Sequence, residues 1–116
     1  MAVQTNSQKM AQAAYQRIDK RNPDREFVSF ARSFPSLVQA CGLAQAVAFA
    51  RAKHSEQYLD DLAAVLNAAG HSETASADSL ERATRENPVP AYVRLSRNAL
   101  RAASWLKRYV EAVGPK

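Results

Sequence analysis

The sequence has 116 residues, 23 of them alanine and only 3 glycine, with 16 Lys/Arg against 11 Asp/Glu. That length suits one domain with a real apolar core, and the alanine excess with no strand-like alternation points to an all-α chain. A lone cysteine, Cys41, excludes an internal disulfide framework, no apolar run is long enough to cross a bilayer, and Met1–Met10 carries no signal-peptide core, so a reduced cytoplasmic setting and no membrane are expected.

Residues 1–6 are expected to be disordered. The first helix is read from about Ser7 to Arg21, with Met10, Ala11, Ala14, Tyr15 and Ile18 on one stripe. Asn22-Pro23-Asp24 restarts the chain, with Asn22 as cap, Pro23 at the first helical position and Asp24 at the positive helix end. The second helix runs from Pro23 to about Ser33. Phe34-Pro35 is expected to break it, because the residue before a proline avoids the α region, and a short helix Pro35–Cys41 follows. After a joint at Gly42 comes the alanine-rich segment Leu43–Lys53, with Leu43, Val47 and Phe49 as its bulk. Ser55–Ala69 places Tyr58, Leu62, Val65 and Leu66 inward and stops at Gly70. Residues 71–77 read as a flexible loop. Asp78 and Glu81 are spaced as a capping box for a helix to about Glu86, and Asn87-Pro88-Val89-Pro90 interrupts the chain. The last helix starts at Pro90 or Ala91, runs to about Val113 and ends at Gly114-Pro115. The expectation is one domain over 1–116, a single compact bundle of about six helices.

The groups that usually carry catalysis are missing. His54 and His71 are the only histidines, too few for a zinc site. Asp60 and Asp61 are neighbours on a helix, about 100° apart, and read as a solvated or partner-facing patch. Glycines at 42, 70 and 114 build no phosphate loop. Cys41 reads as a small buried side chain. No enzymatic activity, metal or other cofactor is expected.

Charge is segregated along the chain. Residues 1–53 carry 8 Lys/Arg and 3 Asp/Glu, residues 54–81 carry none and 6, and residues 82–116 carry 8 and 2. In the last helix Arg94, Arg97, Arg101 and Arg108 fall within about 60° of one another at 100° per residue. The apolar set, including Leu95, Ala99, Leu106 and Val110, lies opposite. Trp105 sits at the edge of this stripe, and Lys107 lies off it. Guanidinium groups so spaced can follow a phosphate backbone, giving salt-dependent affinity without sequence readout. Arg17, Lys20, Arg21 and then Arg25 form an earlier basic group, and Arg51 and Lys53 close the alanine-rich helix. A helix-turn-helix DNA reader is disfavoured, because Leu43–Ala52 offers almost no base-reading side chains. A helical protein–protein adaptor without direct nucleic-acid contact is the competing reading.

The stretch from Phe34-Pro35 through Leu37-Val38-Gln39-Ala40-Cys41-Gly42-Leu43-Ala44-Gln45-Ala46 to Phe49 resembles the signature of the small helical subunit family of the type III-B CRISPR–Cas (Cmr) effector complex. Ser104-Trp105-Leu106-Lys107-Arg108-Tyr109 is similar to that family's C-terminal motif, and Ala14-Tyr15 fits its opening helix. Cys41 stands where the family usually has Asn, and Ala44 where it usually has Gly. The resemblance implies a helical bundle without enzymatic activity, stacked in several copies along an effector filament. Its implied partners are the backbone and large subunits of the complex, further copies of itself, and guide and target RNA, antiviral defence being the setting. Basic faces would line the target-RNA channel while base pairing reads sequence. On that expectation Arg94, Arg97, Arg101 and Arg108 contact RNA phosphates, with Lys107, Arg17, Lys20, Arg21, Arg51 and Lys53 as secondary candidates. The acidic segment 54–81 would face a neighbouring copy or a basic subunit.

Overall fold

The computed structural model describes residues 3–114. Six helices follow one another: α1 (Asn6–Arg21), α2 (Arg25–Cys41), α3 (Leu43–Ala52), α4 (Glu56–Ala68), α5 (Ala77–Glu86) and α6 (Val89–Val113). No strand occurs among the described residues, so the all-α bundle expected from the composition is what forms. No helix among them is long and apolar enough to cross a membrane. The expected disorder over 1–6 falls partly on residues 1 and 2, outside the described residues; Pro115 also lies outside them.

Local side-chain bonds set the helix ends. Thr5 and Gln8 form a reciprocal capping box that starts α1. Asn22 ends α1 in a left-handed turn at φ 49° and does not start α2. Asp24 starts it, accepting the Phe27 N–H at 2.8 Å. Ser76, not Asp78, caps α5 by accepting the Ser79 N–H at 3.2 Å.

The break expected at Phe34-Pro35 does not occur; α2 runs through Pro35. A proline inside a helix costs about 3 kcal/mol. Burying a large apolar side chain returns roughly 1.5–3 kcal/mol, and Val28, Phe34 and Val38 are all buried on the one face of α2. Phe34 is fully enclosed, with its ring centroid 4.9 Å from that of Tyr58 and 5.7 Å from that of Phe30. Straightening α2 keeps this face intact, so packing outweighs the lost backbone bond.

Helix α4 is the centre of the core: Tyr58, Leu59, Leu62, Ala63, Val65 and Leu66 are buried along it. Helix α1 packs on α4 and α6, α2 on α6 and α3, and α5 on α4 and α3. Between α4 and α5 the chain is tied down at Thr74. This buried residue has its hydroxyl 3.0 Å from the His71 carbonyl and 3.3 Å from that of Ala63. Cys41, read from sequence as a buried filler, is exposed at the end of α2.

Candidate nucleic-acid interface

Helix α6 buries Leu95, Ala99, Ala102, Ala103, Leu106 and Val110, so its opposite face must point outward. Arg94, Arg97, Arg101 and Arg108 occupy that face and are exposed. Among the described residues none of the four has a carboxylate within ion-pair distance. At 1.5 Å rise per residue the stripe spans about 21 Å. Its steps of three, four and seven residues advance about 4.5, 6 and 10.5 Å, the first two on the scale of consecutive phosphates and the last on that of alternate ones.

The other candidate cations are placed differently. Arg17 and Arg21 both bind Asp61: Arg17 Nε donates to Oδ1 at 2.8 Å, and Arg21 donates through Nε at 3.0 Å and Nη2 at 2.8 Å. The hydrogen bond to Asp61 raises the Arg21 pKa above its ordinary value, against an opposing effect of burial. These two arginines clamp α1 to α4. Asp61 is fully buried and Asp60 accepts the Ala77 N–H at 2.7 Å. Asp61 is therefore internal and Asp60 half-buried, and both are engaged within the fold where sequence suggested a solvated or partner-facing patch: one holds α1, the other the first turn of α5. Arg51 pairs with Asp78 at 2.8 Å, joining α3 to α5. Lys53 lies with Nζ 5.6 Å from the Phe49 ring centroid. Lys20 is exposed.

Lys107 lines an open groove between α2 and α6 together with Arg25 and Arg32, over Ser29 and Ser33. Arg32 meets Glu111 across it at 3.4 Å. Arg32 is absent from the sequence-based candidates. The spacing of Arg25, Ser29 and Arg32, four and then three residues apart on one helix, is the signal that finds it. Near the middle of the stripe Asn98 Nδ2 lies 2.8 Å from His71 Nε2, which fastens the α4–α5 connection to α6. Among the described residues no group of three or more His, Cys, Asp or Glu is placed to hold a metal ion.

The family model described as CRISPR-associated protein (Cas_Cmr5) matches residues 6–113. The chain belongs to the CRISPR-associated Cmr5 family. It is 37% identical to the CRISPR system Cmr subunit Cmr5 of Thermus thermophilus, over 96% of this chain and 97% of that protein. The crystal structure of a CRISPR-associated Cmr5 family protein from Thermus thermophilus superposes with a TM-score of 0.82 at 33% identity, covering 94% of this chain and 97% of that one.

The residues that carry the family resemblance have structural work visible in this fold. Gly42 joins α2 to α3 at φ 85° and ψ 161°, a conformation open to glycine and strained for other residues. The Tyr92 hydroxyl, reaching over from α6, accepts the Ala44 N–H at 3.0 Å and so caps α3 in place of a local side chain. The C-terminal and N-terminal motifs meet each other: Tyr109 stacks on Trp105, and Tyr15 of α1 approaches Tyr109 edge-on.

Proposed function

We propose that this Cmr5-family chain is a non-catalytic small subunit of a type III-B CRISPR–Cas effector complex, stacking in copies along the filament and lining the target-RNA channel with the outer face of α6. The observation that carries this reading is the arginine stripe: four exposed guanidiniums on one face of one helix, none in an ion pair among the described residues, while Arg17, Arg21, Arg32, Arg51 and Arg85 are held by carboxylates and the exposed Arg25 and Arg82 stand singly on other helices. Such a face binds phosphates and leaves sequence to base pairing. Arg94, Arg97, Arg101 and Arg108 are its contacts, with Lys107, Lys20 and Lys53 as secondary candidates. Arg17, Arg21 and Arg51 serve the fold first, since each already has a carboxylate partner.

The test is a double charge reversal, Arg97→Glu with Arg101→Glu, in the assembled complex. Target-RNA retention should fall at least about tenfold with the subunit still incorporated. Unchanged retention would remove the stripe from the RNA path. The competing adaptor reading has one observation on its side, the apolar groove of Val38, Leu43, Tyr92, Val93 and Leu100 beside Arg97. It requires the same variant to lose its place in the complex and leave RNA retention by correctly assembled particles unaltered.

A further inference from the structure

Most of the aromatic rings serve packing or small local contacts; Trp105 and Tyr109 also rest on the core but, with the exposed Tyr15, keep part of their surface open. Phe27, Phe30, Phe34 and Tyr58 form an interior cluster, and Tyr92 caps α3. Half-buried Trp105 and Tyr109 and exposed Tyr15 form a ladder where α1 meets α6. Trp105 and Tyr109 are nearly parallel, at 19° with centroids 6.0 Å apart. Tyr15 stands edge-on to Tyr109 at 5.8 Å and 70°. Tyr15 is 52% exposed, so its ring adds little to the core.

The position of this ladder decides what it fits. Arg101 lies one turn before Trp105 and Arg108 one turn after, both exposed. Among the described residues cations sit over the rings of Phe27 and Phe49, and none sits over the ladder. Aromatic surface bordered by phosphate-binding guanidiniums is the pairing by which proteins hold single-stranded nucleic acid: the cations follow the backbone while bases stack on the rings. Asp19, one turn beyond Tyr15 on α1, limits the cationic surface on that side.

Resting on the RNA role proposed above, we infer that the Trp105–Tyr109–Tyr15 ladder is a stacking surface for an unpaired nucleobase of the strand whose phosphates the α6 stripe holds. Recognition is of a base as a flat π-surface, without preference for its identity.

Trp105 is the only tryptophan, so its emission reports on this surface alone. The full chain at low salt is titrated with a uridine strand of about 12 nucleotides, a length within the usual single-strand site sizes, and with an abasic ribose-phosphate strand of equal length. The uridine strand should quench Trp105 and bind roughly 5- to 100-fold more tightly than the abasic one. Tyr15→Ala, at an exposed position, should reduce that preference with unchanged helicity and unchanged affinity for the abasic strand. Equal affinity and equal quenching by the two strands would overturn the stacking role and leave the phosphate role standing. Binding of neither strand would overturn both. If Tyr15→Ala instead released a protein subunit from the assembled complex without altering RNA retention, the ladder would be a protein interface and the inference wrong.

Discussion

The hydroxyl of Tyr58 is a polar group buried at the centre of the aromatic cluster with no hydrogen-bond partner among the described residues. Burial, and secondarily the charge of Asp61, pushes the phenol well above its ordinary pKa of about 10. The neutral form is thus favoured in the fold. Its contribution is complete below about pH 10 and is lost as pH rises beyond that, because the unfolded phenol ionises first. Tyr58→Phe keeps the ring and removes the orphan hydroxyl. It should leave stability unchanged or raise it by up to about 1 kcal/mol, and flatten the loss of stability above about pH 10, as read by urea unfolding at about pH 7 and about pH 10.5. A clear destabilisation at neutral pH would mean that the hydroxyl has a partner. Asp61 poses the opposite case, a buried charge that is well matched. Removing one member of a buried ion pair costs about 3–5 kcal/mol when the other charge stays trapped. Arg17 and Arg21 retain 39% and 23% side-chain exposure and can turn to water, so Asp61→Ala should cost about 1–3 kcal/mol in chemical denaturation. A change below about 0.5 kcal/mol would show that the clamp contributes little.

At the scale of elements, the joint between α2 and α3 depends on one backbone conformation. A Cβ at Gly42 would meet the Tyr92 hydroxyl at 3.8 Å, an ordinary contact, so space is available. The penalty lies in φ 85°, and Gly42→Ala should lower stability by about 1–3 kcal/mol, checked by the thermal midpoint; an unchanged midpoint would mean the turn relaxes freely. This joint was legible, because a glycine between two apolar helical patterns marks a turn whatever the tertiary structure. The helix periodicities were legible for the same reason, and so was the α6 stripe, which needs only the helical repeat of about 3.6 residues per turn. Pro35 was not legible as a helix interior residue, since local sterics argue for a break and the enclosure of Phe34 against the distant Tyr58 ring argues against it. The roles of Asp60 and Asp61 were hidden likewise: their partners lie at Ala77, Arg17 and Arg21, and no local spacing announces such pairings. Which candidate cations are free for a ligand therefore had to come from the fold.

The whole molecule measures 43 × 41 × 21 Å, a thick slab in which α6 alone runs about 37 Å at 1.5 Å per residue. The charge blocks seen along the sequence change meaning once folded. Acidic groups of the middle segment meet cations from elsewhere: Asp61 holds Arg17 and Arg21, Asp78 holds Arg51, and Glu81 binds Arg85, which keeps the Glu81 carboxyl below its usual range. Part of the first two blocks cancels in space, and the stripe on α6 is the densest row of guanidiniums left without a carboxylate among the described residues. Four phosphate contacts on a single strand correspond to a slope of about −3 in log affinity against log salt, or roughly a 50-fold loss between 50 and 200 mM. Titration of the full chain with a uridine strand at several salt concentrations measures it. A slope near about −5 would mean that three further cations, such as Lys107, Lys20 and Lys53, join the ligand; a slope near zero would end the phosphate reading.

The exposed thiol at the end of α2 has a practical consequence. Cys41 is the only cysteine, so a maleimide dye reacts with each chain once, without mutagenesis. Chains labelled before reconstitution carry one fluorophore apiece into any assembly they enter. Counting photobleaching steps in single purified particles then reads the stoichiometry of the subunit directly, and energy transfer from Trp105 to a matched acceptor at Cys41 gives an internal ruler within each copy.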